Sequence, residues 1–158
     1  MLVYNICKRK KKVLILFDLD ACVAFITNRA AKKMADEFNN RLMEQGITRV
    51  QWIALYYLGK YDKISQKELG ELMDIKESTV ARLIDRMEKE DYVYRTKDEE
   101  DRRVTLILLT EKGQKYREKL LPEGQKMADV FTKGISEGEL NTFMNVLEKM
   151  LLNIDQEL

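Results

Sequence analysis

Two short helical segments lie only two or three residues apart in the middle of the chain, and this spacing constrains the fold more than any other feature. The first segment, SQKELGELM, begins at Ser65, which forms with Glu68 the Ser-x-x-Glu pattern of a capping box. The second segment runs from about residue 76 to residue 90. Two short helices joined by a tight turn are typical of a helix-turn-helix.

A β-hairpin is predicted directly after the second segment. Residues 92–95, Tyr-Val-Tyr-Arg, are β-prone, and residues 104–109 form an apolar run. Six consecutive charged residues, 98–103, separate the two strands and predict an exposed turn. The predicted fold class is therefore mainly α with a small β-wing: a winged helix-turn-helix.

The second helix of the motif has chemically distinct faces. At about 100° per residue, one side carries Val80, Leu83, Ile84 and Met87, which predicts the core face. One flank is basic and hydroxyl-bearing, with Ser78, Thr79, Arg82, Arg86 and Lys89, while the acidic residues Glu77, Asp85 and Glu88 fall elsewhere. A helix in the major groove of DNA needs such a flank. The alternative is a solvated face with ion pairs along the helix, and the position between a capped helix and a hairpin favours the DNA reading.

The charged turn has an order of residues that a solvated loop alone does not explain, because the acids come first and Arg102 and Arg103 come last. An arginine on a slender turn can enter the narrow, electronegative minor groove. A carboxylate that pairs with this arginine and holds the turn reduces the entropy lost on binding, and Asp101 has the right reach. The alternative is a charged tip that protects an edge strand.

Amphipathic helices are predicted on both sides of this region. Apolar residues three or four apart predict one long helix before Gly46, namely Val23, Ile26, Ala30, Met34, Phe38 and Leu42. Thr48 and Gln51 form a capping box that opens the next helix. We divide the chain into an N-terminal extension (residues 1–17), a winged region (47–109) and a helical region formed by 18–46 and 110–158.

The C-terminal part predicts two further helices. Thr110 caps the fifth helix, which we expect Pro122 to kink or interrupt. Ser136 and Glu139 form a third capping box, and the last helix carries an apolar stripe of Leu140, Phe143, Leu147, Met150 and Ile154.

Composition excludes several classes of function. With 28 basic and 27 acidic side chains the net charge is +1, so any nucleic-acid surface must be local. The absence of histidine argues against hydrolytic triads and zinc sites, and no phosphate-binding glycine-rich loop occurs, so we expect neither an enzyme nor a cofactor. Two cysteines, Cys7 and Cys22, are too few for a disulfide framework and fit a reducing cytoplasm. No apolar run is long enough to span a membrane.

The N-terminal residues imitate a signal peptide, since basic residues 8–12 precede apolar residues 13–17. Five apolar residues are too few for the hydrophobic part of such a peptide, and no small-residue cleavage site follows. We interpret the stretch as an extra strand or arm, or as the product of an upstream start codon. As a basic arm it is a weaker candidate for contact with the DNA backbone.

The chain resembles the MarR family of winged helix-turn-helix regulators over about residues 18–154. The resemblance is carried by ITRVQWIALYYL, by SQKELGELMDIKESTVARLIDRMEKEDYVYR, and by the wing signature DEEDRRVTLILLTEKG. It implies an obligate homodimer with interleaved N- and C-terminal helices that binds a palindromic operator, usually as a repressor released by a small molecule. The two-fold symmetry implies half-sites about one helical turn apart.

The resemblance also implies roles for individual residues. Arg103 is expected in the minor groove, braced by Asp101, with Arg102 nearby at the tip. Ser78, Thr79 and Arg82 are expected to face the major groove, and the phosphates are assigned to Ser65, Gln66, Lys76 and Arg86. Asp74 and Asp91 depart from the family pattern, which usually has glycine at these turns. Asp74 could instead cap the fourth helix together with Glu77.

Two modes of sensing are considered. A small aromatic or amphipathic effector is expected between the first, second and fifth helices, where Phe25, Trp52 and Tyr56 are candidates to line the pocket, although plain core packing explains each of them singly. One branch of the family senses hydroperoxides through a cysteine near Cys22. Nothing nearby is cationic enough to activate this thiol, so we favour a buried core cysteine.

The sequence therefore predicts a dimeric, sequence-specific transcription regulator in the cytoplasm, tuned by a small effector. The alternatives are a thiol- or peroxide-responsive regulator that uses Cys22, and a winged helix that binds protein rather than DNA. The basic face of the fourth helix, together with Arg102 and Arg103, discriminates against an interaction module, which does not need them.

Overall fold

The computed structural model describes residues 17–157. Its helices and strands follow the order α1 (Val23–Glu44), α2 (Arg49–Lys60), β1 (Ile64–Ser65), α3 (Gln66–Met73), α4 (Glu77–Lys89), β2 (Val93–Lys97), β3 (Thr105–Leu109), α5 (Glu111–Thr132) and α6 (Glu137–Glu157). A short 3-10 helix, Leu19–Ala21, precedes α1. The described residues fall into two compact units, one that ends at Glu37 and one that begins at Phe38. The predicted mainly α fold with a β-wing is confirmed, whereas Cys7 and the basic stretch 8–12 lie outside the described residues.

Local capping signals set the starts of four helices. Thr48 and Gln51 close a reciprocal capping box at α2, and Ser65 and Glu68 do the same at α3. At α5 the Thr110 hydroxyl accepts from the N–H of Gly113 at 3.0 Å. The same pattern at α6 has the Ser136 hydroxyl accepting from the N–H of Glu139 at 3.3 Å. Each cap satisfies backbone donors that the helix itself cannot pair.

The sheet has three strands in the order β1-β3-β2, and both pairs are antiparallel. The predicted hairpin is present, with Val93 opposite Leu109 and Lys97 opposite Thr105. Strand β1 was not predicted. It is only two residues long, which is too short to show an alternating pattern of apolar and polar side chains. Its partner also lies far away in the sequence, since Ile64 lies opposite Ile107.

The second unit contains a continuous apolar core beneath the helix-turn-helix. α2 packs against α5 and α3, and α3 packs against α4. Every predicted core residue of α4 is buried, as are residues from the other elements, among them Leu42, Ile47, Leu55, Leu58, Leu69, Ile107 and Leu120. The core therefore fixes which flank of α4 faces outward.

Helix α5 continues through Pro122, so the expected interruption is wrong, while the expected kink stays a prediction. A proline inside a helix costs about 3 kcal/mol, because it removes a hydrogen bond and its ring crowds the preceding turn. Leu120 and Met127, on either side of it, are buried at 1% and 2% exposure. Burying two large apolar side chains stabilises by about 1.5–3 kcal/mol each, enough to offset that cost.

Apolar side chains remain exposed on α1 and α6. Val23, Ile26 and Met34 from the predicted stripe of α1 are exposed, and on α6 the exposed residues include Phe143, Met144, Val146, Leu151, Leu152 and Ile154. On each helix, exposed apolar side chains in this number are typical of a surface for association.

Candidate nucleic-acid interface

The outward flank of α4 carries the predicted basic and hydroxyl side chains. Ser78, Thr79, Arg82 and Arg86 are all exposed, opposite the buried Val80 side of the helix. Arg86 Nε donates to the carbonyl of Arg82 at 3.3 Å, which orders the Arg86 side chain along the helix. Hydroxyls in the first turn followed by arginines give base-edge and phosphate donors on one surface.

Two of the three acidic residues of α4, Asp85 and Glu88, are held by Arg95 of β2, which was not among the predicted site residues. The Arg95 guanidinium pairs with Glu88, pairs with Asp85 at 2.8 Å and donates to the carbonyl of Ala81 at 3.2 Å. The backbone N–H of Arg95 also donates to Glu88 at 3.1 Å. Arg95 therefore neutralises the acids beside the outward basic flank of α4. Its hydrogen bonds also hold the wing strand against α4.

A signal for Arg95 exists in the sequence. Arg95 and Val93 are two residues apart on one strand, so both side chains lie on the side of the sheet that faces the core. Arg95 lies opposite the fully buried Ile107. A cation placed beside a core needs an acidic partner, and Asp85 and Glu88 are the acids that the helical wheel puts between the core face and the solvent.

The turn between α3 and α4 is built on a left-handed aspartate. Asp74 has φ 51° and ψ 47° and ends α3. Such a conformation favours glycine but is open to aspartate. The idea that Asp74 and Glu77 cap α4 is wrong, because the N-cap of α4 is Lys76, which makes no side-chain capping bond. Asp91 likewise has a positive φ, 60°, at the turn after α4.

The start of α4 and the start of α3 carry the residues assigned to phosphates. Lys76 is exposed at the N-cap of α4, where the helix dipole also favours an anion. Ser65 is half-buried, and its oxygen accepts from the N–H of Glu68 at 3.2 Å. Gln66, also half-buried, is the first residue of α3.

The wing tip is held together by its own carboxylates. Asp98 Oδ1 accepts from the N–H groups of Asp101 and Glu100, at 2.9 and 2.8 Å. These backbone hydrogen bonds hold the pKa of Asp98 below its ordinary value. Asp101 Oδ1 accepts from the backbone N–H of Arg103 at 2.9 Å. Asp101 therefore acts on the Arg103 backbone, and the expected ion pair with the Arg103 side chain is not the contact that braces the turn.

The arginines assigned to DNA differ from Arg95 in their partners. Arg82, Arg86, Arg102 and Arg103 are exposed, and none of them has a carboxylate within 4.0 Å in the part of the chain that the structure describes. Their positive charge is available to an external anion, whereas Arg95 is committed within the fold.

The Leu-Thr-x-x-Gly part of the wing signature has a structural reason. The N–H of Thr110 donates to the carbonyl of Tyr92 at 3.0 Å, and its hydroxyl donates to the carbonyl of Asp91 at 2.7 Å. A Cβ on Gly113 would lie 1.9 Å from the Tyr92 carbonyl oxygen. Only glycine lets the first turn of α5 pack this closely against the base of the wing.

The candidate pocket residues lie in different surroundings. The Trp52 ring stacks on Tyr56 with centroids 6.0 Å apart, and its Nε1 donates to the carbonyl of Leu120 at 2.9 Å. Phe25 lies in the first compact unit, under the guanidinium of Arg29. Trp52 thus packs in the way that core packing predicts, and a ligand-binding role of Phe25, Trp52 and Tyr56 stays a prediction.

Cys22 follows the short 3-10 helix, and its N–H donates to the carbonyl of Leu19 at 3.1 Å. The side chain is half-buried, so the expectation of a buried core thiol is wrong for the single chain. A redox role of Cys22 stays a prediction.

Comparison with known proteins places this architecture in a family. The model of the MarR family matches residues 47–105, which span α2, α3, α4 and most of the wing. The HTH-type transcriptional regulator SarZ of Staphylococcus aureus is 30% identical over 129 residues, covering 82% of this chain and 86% of SarZ. The chain belongs to the MarR family. It is a DNA-binding transcriptional regulator with a winged helix-turn-helix fold.

Solved structures of MarR-type regulators share the fold. The S. aureus MepR–DNA complex aligns with a TM-score of 0.77 at 25% identity, over 84% of this chain and 98% of MepR. Bordetella bronchiseptica BpsR aligns with a TM-score of 0.77 at 22% identity, over 85% of this chain and 96% of that one. The match extends beyond the winged region, so the shared fold also includes helices that flank it.

Two kinds of feature are absent from the described part of this MarR-family chain. Among residues 17–157 no group of three or more His, Cys, Asp or Glu side chains is arranged to hold a metal ion. No helix there is long and apolar enough to cross a membrane.

Proposed function

We propose that the protein is a cytoplasmic, non-catalytic homodimer that binds a palindromic operator and represses transcription until a small aromatic or amphipathic effector releases it. The observation that carries the DNA-binding part is the contrast among the arginines. Arg82, Arg86, Arg102 and Arg103 are exposed without a carboxylate partner among the described residues, while Arg95 neutralises the acids next to them.

The proposed contacts follow from where the side chains lie. Ser78, Thr79 and Arg82 on the outward flank of α4 read base edges in the major groove. Ser65, Gln66, Lys76 and Arg86 bind phosphates. At the tip, Arg103 enters the minor groove beside Arg102, on a turn that Asp101 holds through the backbone. The MepR–DNA complex supports a DNA-bound state for this fold.

The exposed apolar residues of α1 and α6 support the homodimer. Phe143 and Ile154 of the predicted stripe on α6 are 51% and 55% exposed, and the neighbouring Met144 and Leu151 are exposed further, at 62% and 64%. A second copy of the chain would bury this surface and place two α4 helices about one turn of DNA apart.

Release by an effector is supported by one structural neighbour of the same fold. BpsR is described as a protein whose DNA binding is regulated by 6-hydroxynicotinic acid. We propose a ligand of related character, a small aromatic or amphipathic molecule, with Phe25, Trp52 and Tyr56 as its candidate contact residues.

The test begins with the purified protein and a pool of random DNA duplexes. We expect enrichment of one palindromic sequence, and sedimentation should show a dimer both free and on this DNA. Binding of all duplexes with equal affinity, at low and at high salt, would contradict the sequence-specific part. A folded monomer that binds the palindrome would contradict the dimer.

A further inference from the structure

The chain that leaves the recognition helix α4 is fastened at three successive carbonyl groups. The Lys112 ammonium donates to the carbonyl of Glu90 at 2.6 Å, and the Thr110 hydroxyl donates to that of Asp91 at 2.7 Å. The N–H of Thr110 donates to the carbonyl of Tyr92 at 3.0 Å. All three donors belong to the N-cap and first turn of α5. The end of α4 is thus bound directly to the beginning of α5.

The side chain of Glu90 is held by a third helix. Gln51 Nε2 in the first turn of α2 donates to Glu90 Oε2 at 2.9 Å. The other end of the same amide is also fixed, because Gln51 Oε1 accepts from the N–H and the hydroxyl of Thr48, at 3.0 and 2.8 Å. An amide with both ends bonded holds the carboxylate in one place.

Gln51 is a buried polar side chain, with 8% exposure, at the edge of an apolar core. Burying an amide costs free energy unless it is hydrogen-bonded, and an apolar residue would fill the same space without that requirement. Apolar contacts along α4 hold the helix without fixing its direction, whereas hydrogen bonds at its end depend on angle and distance. The buried amide therefore adds orientation to a helix that packing already holds.

We propose that Gln51, Glu90 and Lys112 are positioning residues that fix the direction of α4 relative to α2 and α5, and so set the half-site spacing that the dimer accepts. The inference rests on the proposed function, because spacing has a meaning only for a dimer on palindromic DNA. α4 has 13 residues and is therefore about 20 Å long. A tilt of about 10° at the joint moves its other end by about 3 Å, close to the ~3.4 Å step of one base pair.

The experiment uses the palindromic duplex enriched with the wild-type protein, and versions with one base pair added to or removed from the centre. Fluorescence anisotropy gives the affinity for each duplex. Gln51→Glu keeps an oxygen for the cap of α2 but sets two carboxylates against each other. We expect its preference for the natural spacing to fall roughly three- to tenfold.

A rescue variant and a second site separate positioning from folding. The double variant Gln51→Glu/Glu90→Gln restores the hydrogen bond with donor and acceptor exchanged, and should regain the wild-type preference. Lys112→Met removes the bond to the Glu90 carbonyl at an exposed position and should weaken the preference in the same direction. Lys115→Met is the matched control, since Lys115 pairs with Glu111, on its own helix, at 2.5 Å.

The inference is overturned if Gln51→Glu and Lys112→Met, with circular dichroism spectra like that of the wild type, keep the wild-type spacing preference. A double variant that stays as impaired as Gln51→Glu would overturn it too. If the proposed function is wrong, the wild-type protein itself will enrich no DNA sequence. That result would overturn this inference together with the proposed function.

Discussion

Replacing Arg95 by methionine would release two acids of the recognition helix, Asp85 and Glu88, at once. Methionine suits this test because its side chain keeps most of the length of the arginine stem while the guanidinium is removed. Glu88 and Asp85 would then lose their cation, and the carbonyl of Ala81 would lose a donor. The change tests whether the wing and α4 form one unit.

The magnitude follows from the exposure of the three partners. The Arg95 side chain is 24% exposed, Glu88 is 33% exposed and Asp85 is 58% exposed. For the less exposed pair we take about 1 kcal/mol, and for the exposed pair and the carbonyl bond about 0.5 kcal/mol each. The free energy of unfolding should therefore fall by about 2 kcal/mol.

The loss of the Arg95 guanidinium should also weaken DNA binding. Two carboxylates without their cation would lie beside the flank of α4 that we propose binds DNA, and they would repel its phosphates. We expect affinity for the selected duplex to fall roughly tenfold at low salt and less at high salt, because ions screen this repulsion. Adding Asp85→Asn and Glu88→Gln should restore most of the DNA affinity.

Urea unfolding and anisotropy titrations at two salt concentrations measure the two effects. Lys115→Met again serves as the control, because its ion pair is 72% and 84% exposed and should contribute less than about 0.5 kcal/mol. The reasoning is refuted if Arg95→Met unfolds like this control and binds DNA like the wild type.

Three further predictions concern stability. Gly113→Ala should lower the free energy of unfolding by about 3 kcal/mol, because the new methyl group would lie 1.9 Å from the carbonyl oxygen of Tyr92; a variant as stable as an exposed Gly138→Ala control, which has open space around the new methyl group, would contradict this. Trp52→Phe should cost about 1 kcal/mol in urea unfolding, since it removes the hydrogen bond from the indole to the carbonyl of Leu120; an unchanged midpoint would argue against the bond. Hydrogen bonds from the Ser65 side chain and backbone lower the pKa of Glu68 below 4.5, so this group stabilises the fold above its ordinary pKa and loses that effect as the pH falls through the lowered value. Glu68→Gln should flatten the pH dependence of the urea midpoint below about pH 5, and an unchanged dependence would contradict this.

Local signals in the sequence predicted most of the fold. The buried and exposed faces of α4 follow from helical periodicity, and the capping boxes at Thr48 and Ser65 need only residues three positions apart. The hairpin of the wing was predictable because its two strands follow one another in the chain, whereas the exact register between them depends on the conformation of the turn. Such features depend on short stretches, so a single sequence contains them.

Features that depend on distant contacts escaped prediction. Strand β1 forms because Ile64 pairs with Ile107, and two residues are too few to predict a strand from the sequence. Pro122 remains within α5 because burial on both sides outweighs the local preference. The bond of Gln51 to Glu90 joins residues 39 positions apart. The sequence shows the capping role of Gln51, but the second role needs the packed structure.

The most direct test of the central claim compares Arg82→Ala and Arg103→Ala with Lys115→Met on the selected palindrome and on random DNA. If α4 and the wing read DNA as proposed, Arg82→Ala should relax the sequence preference at one position of each half-site. Arg103→Ala should weaken binding to the palindrome, and the control should bind like the wild type. We expect a loss of about 1–3 kcal/mol for Arg82→Ala at its base pair. Equal binding of all three variants and the wild type to both DNAs would contradict it.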